Sequence, residues 1–166
     1  MQNAARKIEM TANVAIVIVA CVAVTMLVRN YRANSLAQPR TISTGATLPL
    51  KNQNWQANQK NLVLAVSTTC HFCTESAPFY RQLVEYCRQQ HVRTIAVLPQ
   101  PVNEAEAYLK GEGVTVDEIR QTPLNEIEVS GTPTLLLVDS GGVVRNVWVG
   151  KLPGDKEKEV LKKLTS

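Results

Sequence analysis

The chain has 166 residues, of which 45% are hydrophobic, 5% aromatic and 19% charged, and it contains four cysteines. This length suits one ordinary domain with an appendage, and the apolar content excludes a disordered chain. Its 18 basic and 14 acidic residues divide as 5 and 1 in residues 1–40 and as 13 and 13 in the rest. Because the body of the chain is neutral, the composition predicts no nucleic-acid partner.

An uncharged apolar run, residues 10–28, separates Glu9 from Arg29. As a helix it would be about 28 Å long, close to the hydrocarbon thickness of a bilayer. It has no polar stripe, so it predicts a transmembrane helix in contact with the lipid bilayer rather than a buried soluble helix. The chain then divides into an N-terminal flank (1–9), an anchor (10–28), a tether (29–44) and a folded domain (45–166).

The tripeptide Ser35-Leu36-Ala37 resembles the small-x-small pattern of a signal-peptidase site. Ala37 lies nine residues beyond the apolar run, which is farther than the usual cleavage distance. An uncleaved signal anchor is therefore expected, and secretion after cleavage near Ala37 is the alternative. Basic residues flank both ends of the run, so charge alone does not orient it.

The predicted elements of the domain follow from apolar runs, helical spacing and turn residues. In chain order they are a strand at Leu62–Val66, a helix over residues 71–90, a strand at Val92–Leu98, a helix at Asn103–Gly111 capped by Asn103 and stopped by Gly111, a short strand or helix continuation at Val114–Val116, a partly helical stretch at Asp117–Val129, a hairpin of Thr134–Asp139 and Val143–Val149, and a helix at Gly154–Leu164. The order β-α-β-α-β-β-α predicts an α/β domain with a mixed central sheet.

A cysteine pair, Cys70-His71-Phe72-Cys73, lies between the first strand and the first helix. Backbone N–H groups at a helix start stabilise a thiolate, so the pKa of Cys70 is expected below that of a free cysteine. Cys73, one turn along, is within disulfide reach and can resolve a mixed disulfide. His71 adds electrostatic support when protonated, or is an exposed residue with a modest effect on the potential.

Two prolines extend this pattern. Pro78 lies five residues after Cys73 and is expected to kink the helix. Pro133, in Gly131-Thr132-Pro133-Thr134, enters a strand-like segment and predicts a turn with a candidate cis bond.

The chain resembles the thioredoxin superfamily over about residues 45–166. The resemblance rests on the strand–CHFC–helix junction, Pro78, Thr132-Pro133 before the hairpin, and Gly150 with the closing helix. The anchor and the segments flanking this core are most similar to membrane-anchored TlpA/ResA-type thioredoxin-like proteins. The resemblance implies a thioredoxin-like fold and the activity of a thiol–disulfide oxidoreductase. It favours a reductant over an oxidant. It also implies a redox-active disulfide that needs no metal or organic cofactor.

The resemblance also implies the roles of single residues. Cys70 would be the attacking thiol and Cys73 the resolving thiol, with His71 and Phe72 as the variable dipeptide between them. Pro133 would be cis beside the pair, and Thr132 would present its backbone to a substrate chain. The partners would be protein disulfides and a redox partner that regenerates the pair, on the extracytoplasmic (periplasmic or extracellular) side of the membrane.

Three departures from the thioredoxin pattern leave the direction of exchange open. Thr69 stands where the family often has tryptophan, and Leu64 stands where thioredoxin has a buried acid that can accept the proton of the second cysteine. His71-Phe72 replaces the Gly-Pro of thioredoxin.

Other functions fit the residues less well. The sequence spacing of a zinc finger is matched by Cys70, Cys73, Cys87 and His91. On one helix, however, Cys73 and Cys87 would lie about 21 Å apart. Cys87 is instead expected to be a packed free thiol. A peroxidase would need proline at Val63, and a copper chaperone would need a histidine far downstream. A redox-inactive binding or scaffold module remains the alternative from another class.

Overall fold

The computed structural model describes residues 17–29 and 41–165. The chain divides into two units, Met1–Gln38 and Pro39–Ser166. In the first unit, residues 17–29 are helical and their side chains are exposed. No helix within the two described ranges is long and apolar enough to cross a membrane. Residues 10–16 of the predicted anchor and residues 30–40 of the predicted tether lie outside these ranges.

The second unit is built on one five-stranded mixed sheet. Its strands in chain order are Lys60–Ala65 (β1), Arg93–Leu98 (β2), Glu118–Gln121 (β3), Thr134–Asp139 (β4) and Val144–Val149 (β5). They lie side by side in the order β3-β2-β1-β4-β5. β1 is parallel to β2, and β2 to β3, whereas β4 is antiparallel to both β1 and β5. The predicted mixed α/β sheet is confirmed.

The central strand β1 is buried on both faces, because its apolar residues alternate between two cores. Leu62 and Leu64 face the core that contains the helices. Val63 and Ala65 face the second core, which is covered by the segment that includes Ile42 and Leu48. Such two-sided burial explains why β1 reads as a continuous apolar run rather than as an alternating one.

The folded unit also includes residues upstream of Gly45. Ile42 is buried, and its N–H donates to the carbonyl of Glu128 at 2.7 Å. Thr47 forms an isolated antiparallel bridge with Val143. Residues from the end of the predicted tether are therefore part of the packed domain.

Four helices accompany the sheet. They are His71–Glu75 (α1), Ala77–Gln89 (α2), Val102–Gly111 (α3) and Gly154–Thr165 (α4). The expected continuous helix over residues 71–90 is thus two helices, separated at Ser76. Pro78 has no N–H to continue the α1 hydrogen-bond ladder, but it is tolerated in the first turn of a new helix.

The prediction between β2 and β4 needs three further corrections. α3 begins one residue before Asn103, so its N-cap is Pro101 rather than Asn103. Residues 114–116 form neither a strand nor a continuation of α3. Residues 117–129 contain the edge strand β3 as well as the expected helical part, a 3-10 helix at Leu124–Ile127. β3 was missed because its polar sequence lacks the alternation that marks a strand.

The predicted hairpin is confirmed, and Trp55 packs closely against Gly142 in its turn. Gly142 has a φ of +78°, and a Cβ on it would lie 2.8 Å from Cδ1 of Trp55. Asp139 accepts hydrogen bonds from the N–H groups of Gly141 and Val143. Burial raises the pKa of Asp139, but these hydrogen bonds and Arg145 outweigh burial and lower the pKa.

Candidate active site

The cysteine pair lies where β1 gives way to α1, as the sequence predicts. Cys70 is the N-cap of α1, with an extended backbone (φ −89°, ψ 107°). Its Sγ accepts a hydrogen bond from the N–H of Cys73 at 3.1 Å. A cap side chain that accepts from a first-turn N–H is the usual way to begin a helix. The same local geometry therefore starts α1 and places a backbone donor on the sulfur.

Cys70 and Cys73 form a disulfide, with their Cα atoms 5.2 Å apart. The two sulfurs differ in accessibility, because Cys73 is only 1% exposed whereas Cys70 is half-buried at the protein surface. An incoming substrate can therefore reach Cys70 more readily than Cys73. This asymmetry suits Cys70 to attack from outside and Cys73 to resolve from inside.

The stabilisation available to a Cys70 thiolate is local. α1 has five residues, and α2 begins after Ser76. Helix-terminal effects fall off within one turn, and the described donor to Cys70 is the single N–H of Cys73. One backbone amide therefore reaches the sulfur that the sequence analysis expects to ionise.

The loop before Cys70 is held by the segment that links β2 to α3. The Gln100 amide donates to Oγ of Ser67 at 2.9 Å and accepts from the N–H of Thr68 at 3.4 Å. Oγ1 of Thr68 donates to Glu104 at 2.7 Å. No sequence motif marks Gln100 or Glu104 as site residues. They lie near the loop because β1 and β2 pair in parallel, which brings the segments that follow these strands together.

The dipeptide between the cysteines faces solvent. Phe72 is 55% exposed, and the His71 side chain is 78% exposed. Nε2 of His71 lies 3.0 Å from Oε1 of Glu75, four residues along the helix. His71 thus contacts a carboxylate rather than the sulfur of Cys70. The spacing of four residues could have revealed this pair from the sequence.

The Thr132–Pro133 peptide bond is cis. Thr134, the first residue of β4, pairs with Ala65 at the end of β1. Pro133 therefore lies at the same edge of the sheet as the loop that leads into Cys70. The strand register thus places Thr132 and Pro133 at the end of the sheet from which the Cys70 loop leaves. Pro78 is exposed in the first turn of α2.

A small void lies beside Cys73 inside the helical core. Its lining includes Leu64, Tyr80, Tyr108 and Glu112. Burial is the largest influence on Tyr80 and raises its pKa well above the ordinary range, so the phenol stays protonated. Burial likewise raises the pKa of Tyr108. Leu64 is fully buried and places an apolar side chain where thioredoxin has an acid.

Cys87 lies on the buried side of α2 and is a free thiol. Burial raises the pKa of Cys87 to about 12, with a further contribution from Asp117. Within residues 17–29 and 41–165, no three His, Cys, Asp or Glu side chains are grouped so that they could hold a metal ion. The other free cysteine, Cys21, is exposed on the N-terminal helix.

We expect Cys87 to resist alkylation in the folded, reduced protein. With a pKa of about 12, only about one thiol in 10⁴ is ionised at pH 8. Brief iodoacetamide treatment followed by peptide mass spectrometry should modify Cys70 and leave Cys87 unmodified until denaturant is added. Labelling of Cys87 at the rate of an unfolded control would contradict this assignment.

No protein-family model matches the chain, and a search of curated proteins found no match. Solved structures do match. They include a candidate thiol:disulfide interchange protein DsbE from Chlorobium tepidum, at 19% identity and a TM-score of 0.60, with 76% of this chain and 100% of that chain covered. The thioredoxin domain of a thiol-disulfide oxidoreductase from Bacteroides vulgatus matches at 15% identity and a TM-score of 0.59, with the same coverage.

A thiol:disulfide interchange protein from a Bacteroides species also matches, at 16% identity and a TM-score of 0.58, over 75% of this chain and 92% of that chain. These similarities extend over nearly the whole length of each neighbour. Because the sequence identities are below 20%, these matches show similarity of fold. Together with the Cys70–Cys73 disulfide at the β1–α1 junction, they show that residues 41–165 have the fold of thioredoxin-like thiol:disulfide interchange proteins.

Proposed function

We propose that this protein is a thiol–disulfide oxidoreductase that exchanges disulfides with protein substrates. The observation that carries the proposal is the asymmetric cysteine pair, in which Cys70 is accessible and Cys73 is buried behind it. The position of the Pro133 segment at the same edge of the sheet supports it. The similar structures include proteins named for disulfide interchange.

The first step is attack by the Cys70 thiolate on one sulfur of a substrate disulfide. A bond forms between Sγ of Cys70 and that sulfur, the substrate S–S bond breaks, and the second substrate sulfur leaves as a thiolate that takes a proton from solvent. The N–H of Cys73, which donates to Sγ of Cys70, stabilises the attacking anion.

The second step uses Cys73. After losing its proton, Cys73 attacks Sγ of Cys70, breaks the mixed disulfide and releases the remaining substrate thiol. Two electrons have then passed from the cysteine pair to the substrate, and the Cys70–Cys73 disulfide remains. Because oxidation of the two thiols to a disulfide supplies both electrons, the cycle needs no metal or organic cofactor. A reduced dithiol partner must regenerate the pair.

We propose that the protein reduces its substrate rather than oxidising it. A strong oxidant owes its high potential to a stabilised reduced form. Here one backbone N–H reaches Sγ of Cys70, and the imidazole of His71 lies against Glu75. The reduced form therefore receives little of the extra stabilisation that would make the disulfide strongly oxidising.

We expect the potential of the Cys70–Cys73 couple to lie closer to the thioredoxin value of about −270 mV than to the DsbA value of about −120 mV. Equilibration of the full chain with defined dithiothreitol or glutathione buffers, followed by alkylation and mass spectrometry, measures it. A potential near −120 mV would reverse the proposed direction while keeping the exchange chemistry. Failure of the pair to cycle would exclude the oxidoreductase and favour a scaffold module.

We further propose that residues 10–28 anchor the protein in a lipid bilayer, with the folded domain on the extracytoplasmic side. Support comes from the uncharged apolar run and from the helical, exposed residues 17–29. Sedimentation with membranes after carbonate washing tests the anchor, and the mass of the mature chain shows whether cleavage occurs near Ala37. Protease protection of the domain in intact cells and vesicles tests the side.

A further inference from the structure

Glu75, the last residue of α1, makes two side-chain contacts that the proposed exchange cycle does not use. Its Oε2 accepts from Nζ of Lys151 at 2.9 Å, and its Oε1 lies 3.0 Å from Nε2 of His71. Hydrogen bonding from Lys151 is the largest influence on Glu75 and lowers its pKa. The carboxylate therefore links α1 to the segment that contains Lys151.

Lys151 follows β5, and its neighbour Gly150 is tied to the proline loop. The N–H of Gly150 donates to the carbonyl of Pro133 at 2.7 Å. Gly150 has a φ of +82°, and no atom lies within 4 Å of where its Cβ would be. Residues 150 and 151 thus connect the cis-proline loop on one side with α1 on the other.

We propose that the Glu75–Lys151 ion pair positions the cysteine pair relative to Pro133 and thereby sets how well protein substrates are engaged. This inference rests on the proposed oxidoreductase function. A polypeptide whose disulfide reacts at Cys70 extends over the neighbouring sheet edge where Pro133 lies. A small disulfide reaches Cys70 alone. The distance between the cysteine pair and the Pro133 loop therefore affects a protein substrate and not a small disulfide.

The expected effect is limited in size, because both side chains are partly exposed, at 36% for Glu75 and 49% for Lys151. Exposed ion pairs contribute little, so loss of this one should raise KM by about threefold. The effect should fade in about 1 M salt, where the Debye length falls to about 3 Å.

A double-mutant cycle with the full chain in detergent tests the proposal. Glu75→Gln, Lys151→Gln and the double variant are compared with wild type for insulin reduction and for reduction of the neutral 2-hydroxyethyl disulfide. We expect each single variant and the double variant to raise KM for insulin by about threefold, without additivity. In Lys151→Gln, which leaves the His71–Glu75 contact in place, the rate with the small disulfide and kcat for insulin should stay at the wild-type values.

Glu85→Gln is the matched control, because Glu85 forms an exposed ion pair with Arg88 on α2. It should leave KM for insulin unchanged. Additive effects of the two single variants would overturn the proposal, and so would equal slowing of both substrates, which would place the effect on the thiol chemistry instead.

Hydrogen exchange of the Gly150 amide provides a readout that does not need turnover. Its bond to Pro133 should open more often without the ion pair, so its exchange should quicken in Glu75→Gln and not in Glu85→Gln. Unchanged exchange would also overturn the positioning role. If wild type fails to reduce insulin, the oxidoreductase proposal fails, and this exchange measurement still decides whether the ion pair holds the two segments together.

Discussion

Replacing Cys70 with serine is expected to lower the turnover of a protein disulfide by more than about 10³-fold, because a serine hydroxyl does not ionise near neutral pH and cannot form the mixed disulfide. Replacing Cys73 with serine should have a different result. Cys70 can still attack, but the buried position behind it no longer holds a thiol that releases the substrate. A covalent complex should therefore accumulate.

Insulin reduction and non-reducing electrophoresis with a disulfide-containing protein measure these two outcomes. The matched control is Cys87→Ser, which removes a buried thiol whose ionisation is suppressed by burial and should stay active, as should Cys21→Ser. Normal turnover by Cys73→Ser would exclude the two-thiol mechanism. A complex that forms with Cys70→Ser would show that the attacking and resolving roles are reversed.

Truncation of Leu64 to alanine is expected to lower the free energy of unfolding by about 2–5 kcal/mol. Leu64 is fully buried in the central strand, and it lines the small void beside Cys73. Removing its branched end enlarges that void where β1 is fixed on both sides by β2 and β4, so the core has little freedom to collapse. Denaturant unfolding with the disulfide intact measures the loss.

Leu64→Met is the control for this substitution. It nearly keeps the side-chain volume, so it should cost less than about 1.5 kcal/mol. A loss below about 1 kcal/mol for Leu64→Ala would mean that the core beside Cys73 relaxes to fill the space. The comparison separates packing under the cysteine pair from the general tolerance of the sheet.

Local sequence signals were sufficient for much of the candidate site. The apolar run before Cys70, the spacing of Cys70 and Cys73, and the Thr132-Pro133 dipeptide before the hairpin predicted where the pair and the cis bond lie. These features depend on residues close together in the chain. The N-cap geometry of Cys70, for example, involves only Cys73, three residues away.

Other features depended on how distant segments meet. Pro78 signalled an interruption, but the sequence did not show that it would begin a second helix after Ser76. The edge strand β3 exists because its backbone pairs with β2, not because its side chains follow a strand pattern. The predicted anchor lies partly outside the described residues, so it stays a prediction.

The sequence by itself determined the order of the elements around the cysteines, because periodicity, turn residues and caps act over one or two helical turns. Only the tertiary structure decided which side chains meet at the site. Lys151 reaches Glu75 across 76 positions of the chain, and Gln100 reaches Ser67 across 33. Such contacts follow from strand order and register, which bring separate loops to one edge of the sheet and which no local pattern encodes.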